Sequence, residues 1–274
     1  MEAKLGVLIV HGMGSQPENF ADGIIEKLED KISDYGLNDN DICWEPVYWA
    51  PILSRREAQL WRDISTKNDL HWVDLRKFVI NAIGDAIAYQ IIPGETNSTY
   101  YKIHDIVYES IVNLKAKLGN NDKPIIVIAH SIGSVIMSDY IWDRQKKRDP
   151  GRYGYTSFER METLAGFITF GSPIPLYTLA YDPVESIKFP PDTLPAHLRE
   201  KAKWLNFFDV DDVLGWPLKT LSKSYDSCVS EDNEINVGGI LTSWNPQCHS
   251  KYWKNDDFIE PVAQYISDIL KVCS

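Results

Sequence analysis

Apolar residues fall along this chain in two kinds of run. Short continuous blocks at Leu5–Val10, residues 125–129, Leu164–Phe170 and residues 204–208 read as strands buried on both faces. Longer stretches repeat apolar positions at three- and four-residue spacing and read as helices. After the first block Phe20, Ile24, Ile25, Leu28 and Ile32 share one helical face. Ser15 and Glu18 have capping-box spacing, with Pro17 in the first turn, so that helix is expected to begin at Ser15. A second strand is expected over residues 42–49, followed by helices over 53–65, 70–92 and 100–118. The middle helix carries Trp72, Leu75, Phe78, Val79, Ile83, Ile87 and Ile91, and Pro93-Gly94 ends it. A stripe that wide suits either a helix covering a sheet or a cap over an apolar pocket.

Val135, Ile136, Tyr140 and Ile141 carry a helix onward from residue 131, with Lys146-Lys147-Arg148 as its solvated last turn. Residues 177–197 are proline-rich and aperiodic, and read as a long ordered loop bordering a site. A short last strand is expected at 234–237 and a closing helix at 258–272. Alternating strands and helices over the whole length call for an α/β fold: a mostly parallel sheet with helices on both faces. Residues 1–274 form a single domain on this reading, with 52–120 a helical insertion or cap. Each polar cluster follows a strand, where ligands collect in such sheets.

Composition narrows the function classes. A formal net charge of −11 argues against nucleic acid as a partner and against charge-driven binding to an anionic membrane. Cys43, Cys228, Cys248 and Cys273 lie far apart, which suggests neither a zinc site nor a disulfide framework. No metal or organic cofactor is expected, and reduced thiols fit a cytoplasmic location. The apolar N-terminal block is too short for a signal peptide or a membrane span.

The candidate chemistry sits at Ala129-His130-Ser131-Ile132-Gly133, between a buried strand and a helix. A serine on such a sharp turn has its hydroxyl pushed out of the sheet, and small neighbours let the backbone turn. The plainer alternative makes Ser131 a helix N-cap. A serine nucleophile needs a histidine to take its proton and a carboxylate to hold that histidine, in chain order Ser, Asp, His. His249 follows every expected strand and is the preferred base, whereas His197 precedes one. His71 and His104 sit in helical patterns, and His130 is a structural neighbour of the serine. Asp209, Asp211 and Asp212 compete for the acid. Asp212 is preferred because the apolar Val213-Leu214-Gly215-Trp216 stretch follows it, then Asp209, with Asp211 last. Backbone N–H groups of Met13, in the loop after the first strand, and of Ile132 are the expected oxyanion donors. His11 would brace that loop.

Val10-His11-Gly12-Met13-Gly14, the Ser131 turn, Phe170-Gly171-Ser172-Pro173 and Asp212-Val213-Leu214-Gly215 resemble the successive motifs of α/β-hydrolase lipases and esterases. More narrowly they are similar to the core of the DDHD-domain intracellular phospholipases, as is the ending His249-Ser250-Lys251-Tyr252-Trp253 with Asp257 beyond it. The resemblance implies a Ser-His-Asp serine hydrolase of carboxylic esters, acting on a lipid or other acyl ester. Transient membrane-surface contact through the cap fits that reading. A thioesterase, amidase or peptidase would use the same three residues, and a non-catalytic binding protein could keep the fold.

Overall fold

Six strands form one sheet: β1 (Leu5–Val10), β2 (Ile42–Val47), β3 (Ile125–His130), β4 (Leu164–Phe170), β5 (Lys203–Phe208) and β6 (Glu231–Glu234). Their spatial order is β2-β1-β3-β4-β5-β6, and every neighbouring pair is parallel. The computed structural model describes residues 2–66, 68, 70–92, 94–148, 151–238 and 248–273. Pro93 and the side chain of Phe78 therefore lie outside the described residues. Parallel neighbours require long crossovers, and these supply the helices. In chain order they are α1 (Asp22–Asp34), α2 (Pro51–Ser65), α3 (Val73–Ala88), α4 (Thr99–Lys117), α5 (Ile132–Gln145), α6 (Ile174–Thr178), α7 (Ala196–Arg199), α8 (Lys223–Cys228) and α9 (Asp256–Val272).

Every residue of β1, β3 and β4 is buried, which is why those strands lack polar alternation. Leu8, Val10, Val127 and Ala129 pack under α4 and α5, while Leu5, Val7, Ile9, Ile126 and Ile128 pack under α1 and α9. Each fully buried aliphatic side chain of this kind contributes roughly 1.5–3 kcal/mol, and together they fix where the strands end. The carboxyl ends of β1, β3, β4 and β5 carry the residues that matter below.

Four expectations are revised. The first helix begins at Asp22, with Ala21 before it and no side-chain cap, so Ser15 and Glu18 form no capping box. Residues 15–17 instead run irregularly into a turn at 18–20, and the Phe20 ring packs edge-on to His11 at 4.8 Å. The last strand lies at Glu231–Glu234, ahead of residues 234–237; it is a polar sheet edge, so hydrophobic patterning gave no signal for it. The second strand stops at Val47, since Trp49 turns in to stack on His11. The stretch 52–120 is helical but divided. Ile103, Val107, Ile111 and Leu114 bury α4 against the sheet, whereas α3 leaves Leu75, Val79, Ile83 and Ile87 exposed. α3 is thus no sheet cover; it rims the cleft described next.

Candidate active site

The turn from β3 into α5 puts Ser131 at φ 52° and ψ −131°, a backbone conformation costly for a non-glycine residue. Two glycines let the neighbouring loop press against it. A Cβ on Gly133 would lie 2.6 Å from the His11 carbonyl oxygen, and a Cβ on Gly12 would lie 2.7 Å from that of Ser131. The turn and the loop after β1 are therefore interlocked through backbone that no side chain can enter. Ser131 makes no side-chain cap to α5.

Its hydroxyl instead meets His249 Nε2 at 2.7 Å. His249 Nδ1 lies 2.8 Å from Asp212 Oδ2, so three residues from three loops form one hydrogen-bonded chain. The same Asp212 oxygen accepts the Tyr252 hydroxyl at 3.0 Å, and Oδ1 accepts Leu214 N–H at 3.0 Å. With acceptor oxygen on one side and hydroxyl on the other, the neutral imidazole carries its proton on Nδ1 and offers Nε2 to Ser131. Burial would raise the Asp212 carboxyl, but hydrogen bonds from His249, Leu214 N–H and Tyr252 hold it below the ordinary aspartate value. A carboxylate that stays ionised in a buried site can stabilise an imidazolium beside it.

The other two acidic candidates lie elsewhere. Asp209 is buried too, but its carboxylate accepts the backbone N–H groups of Asp211, Val237 and Gly238. Asp211 is exposed. Among the remaining histidines, His71 and His197 are exposed and His104 is buried against the Tyr89 hydroxyl at 2.8 Å. His130 donates Nε2–H to the His249 carbonyl at 2.8 Å; burial, then the nearby His249, hold it neutral. It anchors the backbone that presents the His249 ring.

His11 is placed on the loop it was expected to brace. Its Nε2 accepts Trp49 N–H at 3.1 Å and Ala50 N–H at 3.2 Å, and its Nδ1 donates to the Gly12 carbonyl at 2.7 Å. Burial lowers its pKa to about 4, with the Gly12 bond opposing, so it is neutral as that pattern demands. Met13 and Ile132 line one cleft of about 860 Å³. Among the described residues neither backbone N–H is taken up by a turn or loop acceptor. The cleft is walled by Ile83, Ala86 and Ile87 of α3 and by Leu176 and Leu179, and a smaller cavity of about 220 Å³ adjoins it past Tyr100 and Asp139. The proline-rich stretch does border the site, through Leu179 and Tyr181.

A parallel sheet, a strained serine where β3 turns into α5, and acid and histidine in later loops make one known architecture. This is the α/β-hydrolase fold. No protein-family model matches the chain, and no curated protein matches it. Among solved structures it resembles one reported with LipS and LipT, two metagenome-derived lipolytic enzymes. That likeness has 12% identity and a TM-score of 0.41, and it covers 99% of this chain and 95% of that one. It also resembles a Rhizomucor miehei esterase, at 13% identity and a TM-score of 0.47, over 100% of this chain and 77% of that one. At such identities the likeness concerns the fold alone, and the narrower resemblance to DDHD-domain phospholipases finds no support in these comparisons. Among the described residues no helix is long and apolar enough to cross a membrane, and no three His, Cys, Asp or Glu side chains stand together as a metal site would need.

Sequence reasoning missed the work of Tyr252. It stands three residues after His249, and a short 3-10 turn at Tyr252–Lys254 brings its hydroxyl to Asp212. The same hydroxyl accepts Asp209 N–H at 2.9 Å, so it ties both aspartates of that turn to the histidine segment.

Proposed function

We propose that this protein is a serine hydrolase of carboxylic esters. The observation that carries the reading is the chain from Ser131 Oγ through His249 to Asp212, ending on a serine held in a strained turn. His249 Nε2 takes the hydroxyl proton as Oγ bonds to the ester carbonyl carbon, and the carbonyl electron pair moves onto oxygen. Met13 and Ile132 N–H groups receive that negative charge. As the tetrahedral species collapses, the carbon–oxygen bond to the alcohol breaks and His249 returns the proton to the departing oxygen. Water repeats the sequence on the acyl-enzyme, with Asp212 stabilising the imidazolium at each stage. The chain's own residues supply every group this sequence uses.

Lipase or esterase action on an acyl ester is the preferred form. Support comes from the apolar walls of the cleft and from α3, whose Ile83 and Ile87 are 53% and 68% exposed at its rim. A fatty acyl chain would bury against these side chains, and a membrane surface could meet them transiently. The sequence likeness to the DDHD-domain core extends the reading toward phospholipids. A panel of p-nitrophenyl esters and phosphatidylcholine tests it: kcat/KM should rise with acyl length and vanish in Ser131→Ala. Undiminished hydrolysis by Ser131→Ala would sink the assignment, and a preference for the shortest acyl chain would sink the lipid form of it.

A further inference from the structure

One buried polar contact ties the cap to the glycine loop. Asp85 on α3 is 1% exposed, although Ile83 and Ile87 on the same helix face solvent. Its Oδ2 accepts Gly14 N–H at 2.7 Å, next to Met13 and 71 residues away in sequence. Gly14 sits at φ 78°, so the loop turns sharply at the residue that Asp85 holds. The second carboxyl oxygen of Asp85 is shielded from solvent, and so is Oε1 of Glu57 on α2. Neither receives a hydrogen bond from an N–H or O–H of the described residues. The two buried carboxyls are near enough for each to perturb the other. Two ionised carboxylates this close and this buried would repel, which favours a proton held on Glu57 and shared toward Asp85.

Among the described residues neither group is in an ion pair. Apart from each other, the groups in their field are the Gly14 N–H from the loop and the Tyr177 phenol from α6. Burial, and then the charge of Asp85, push the Glu57 carboxyl up to about 8; Asp85 is also raised, by burial. Loss of that proton leaves two neighbouring carboxylates with no cation paired to either among the described residues.

We infer that Asp85 is a positioning residue: through a proton shared with Glu57 it locks the Met13 loop to the α2–α3 cap, so that a displaced cap leaves the oxyanion hole incomplete. This rests on the ester-hydrolase reading above, because only there does the Met13 N–H carry charge. A cap that swings away takes the Asp85 oxygen from Gly14 and frees the loop. One preorganised oxyanion donor is worth about 10²–10³ in kcat, so a loosened one costs part of that. Above about pH 8, as Glu57 ionises, like charges face each other between α2 and α3 and push Asp85 from the place where it holds Gly14.

Two variants separate the parts. Asp85→Asn keeps an oxygen for Gly14 and offers an amide N–H to Glu57, which removes the titration and leaves the geometry. Asp85→Ala removes both bonds. Each is checked for folding by circular dichroism, then measured for kcat and KM on a short soluble ester across pH, and for deuterium exchange of the peptide containing Gly14. Asp85→Ala should lower kcat by about 10–100-fold with KM within about threefold, since the lost interaction is made in the transition state. Its Gly14 peptide should also exchange faster. Asp85→Asn should keep kcat within about threefold near pH 7 and lack the fall above about pH 8 that the wild type displays. A folded Asp85→Ala with unchanged kcat or unchanged exchange overturns the proposal, as does an alkaline fall that persists in Asp85→Asn. If the wild type neither turns over esters nor labels at Ser131, the hydrolase reading fails and the catalytic role falls with it. Exchange of the Gly14 peptide then reports separately whether the cap holds the loop.

Discussion

Tyr252→Phe removes one oxygen atom from the site and leaves its packing intact. That hydroxyl donates to Asp212 at 3.0 Å and accepts Asp209 N–H at 2.9 Å, and both aspartates are buried. Loss of the first bond removes a donor from an ionised carboxylate, worth about 1.5–3 kcal/mol; loss of the second strands a buried N–H at about 1–3 kcal/mol. Relaxation makes the two less than additive, so the variant should unfold with about 2–4 kcal/mol less stability near neutral pH. Asp212 keeps its bonds to His249 and Leu214, so the carboxylate survives with a looser orientation. The expected fall in kcat is about tenfold, far short of the roughly 10⁴ that follows loss of a triad carboxylate. The pH dependence has a definite sign. Asp212 is held below its ordinary value, so its contribution to stability is full above about pH 4 and is lost as pH falls through the folded-state value. Part of the difference between wild type and variant should therefore close under acid. Urea unfolding near pH 7 and near pH 3, with ester kinetics alongside, measures both effects. Unchanged stability would refute the hydrogen-bond accounting, and a 10⁴-fold loss of kcat would mean that Tyr252 takes a direct part in the chemistry.

Three further outcomes are expected. Asp212→Asn should lose about 10⁴ in kcat while Asp209→Asn changes kcat by less than about threefold and loses about 1–2 kcal/mol of stability, since Asp209 holds backbone N–H groups and not the histidine. Gly133→Ala would set its Cβ 2.6 Å from the His11 carbonyl oxygen and 3.0 Å from that of Val10, backbone atoms with no rotamer to yield. It should lower the thermal midpoint by an amount equivalent to roughly 2–3 kcal/mol. His11 is buried neutral with its pKa lowered to about 4. The unfolded chain then binds an extra proton between about pH 4 and 6.5, so stability rises with pH across that window, and His11→Gln should flatten the rise in a pH series of denaturation midpoints.

The strands of the sheet centre could be read from the sequence because they are buried on both faces, and burial on both faces leaves an unbroken apolar run. The β6 edge is Glu-Asp-Asn-Glu, a strand held by backbone pairing alone, and no pattern of side chains marks it. That Ser131, Asp212 and His249 would meet was legible because their spacing relative to strands is set by topology. The choice between Asp212 and Asp209 turned on which carboxylate the backbone of 237–238 consumes, and that segment's position is a matter of tertiary structure. The stripe on α3 was plain, but its direction was not. An apolar face turned to solvent has the same periodicity as one turned to a core, and only the burial of Asp85 reveals which side meets the protein. Ser15 and Glu18 failed as a cap because Phe20 is drawn to His11, a contact no local motif encodes.

Intact-mass spectrometry after exposure to a fluorophosphonate probe tests the central claim most directly, on wild type beside Ser131→Ala and His249→Ala. An activated Ser131 predicts one adduct on the wild type, none on Ser131→Ala, and slow or absent labelling of His249→Ala. Labelling that persists in Ser131→Ala, or a wild type that takes no adduct while folded, would contradict it.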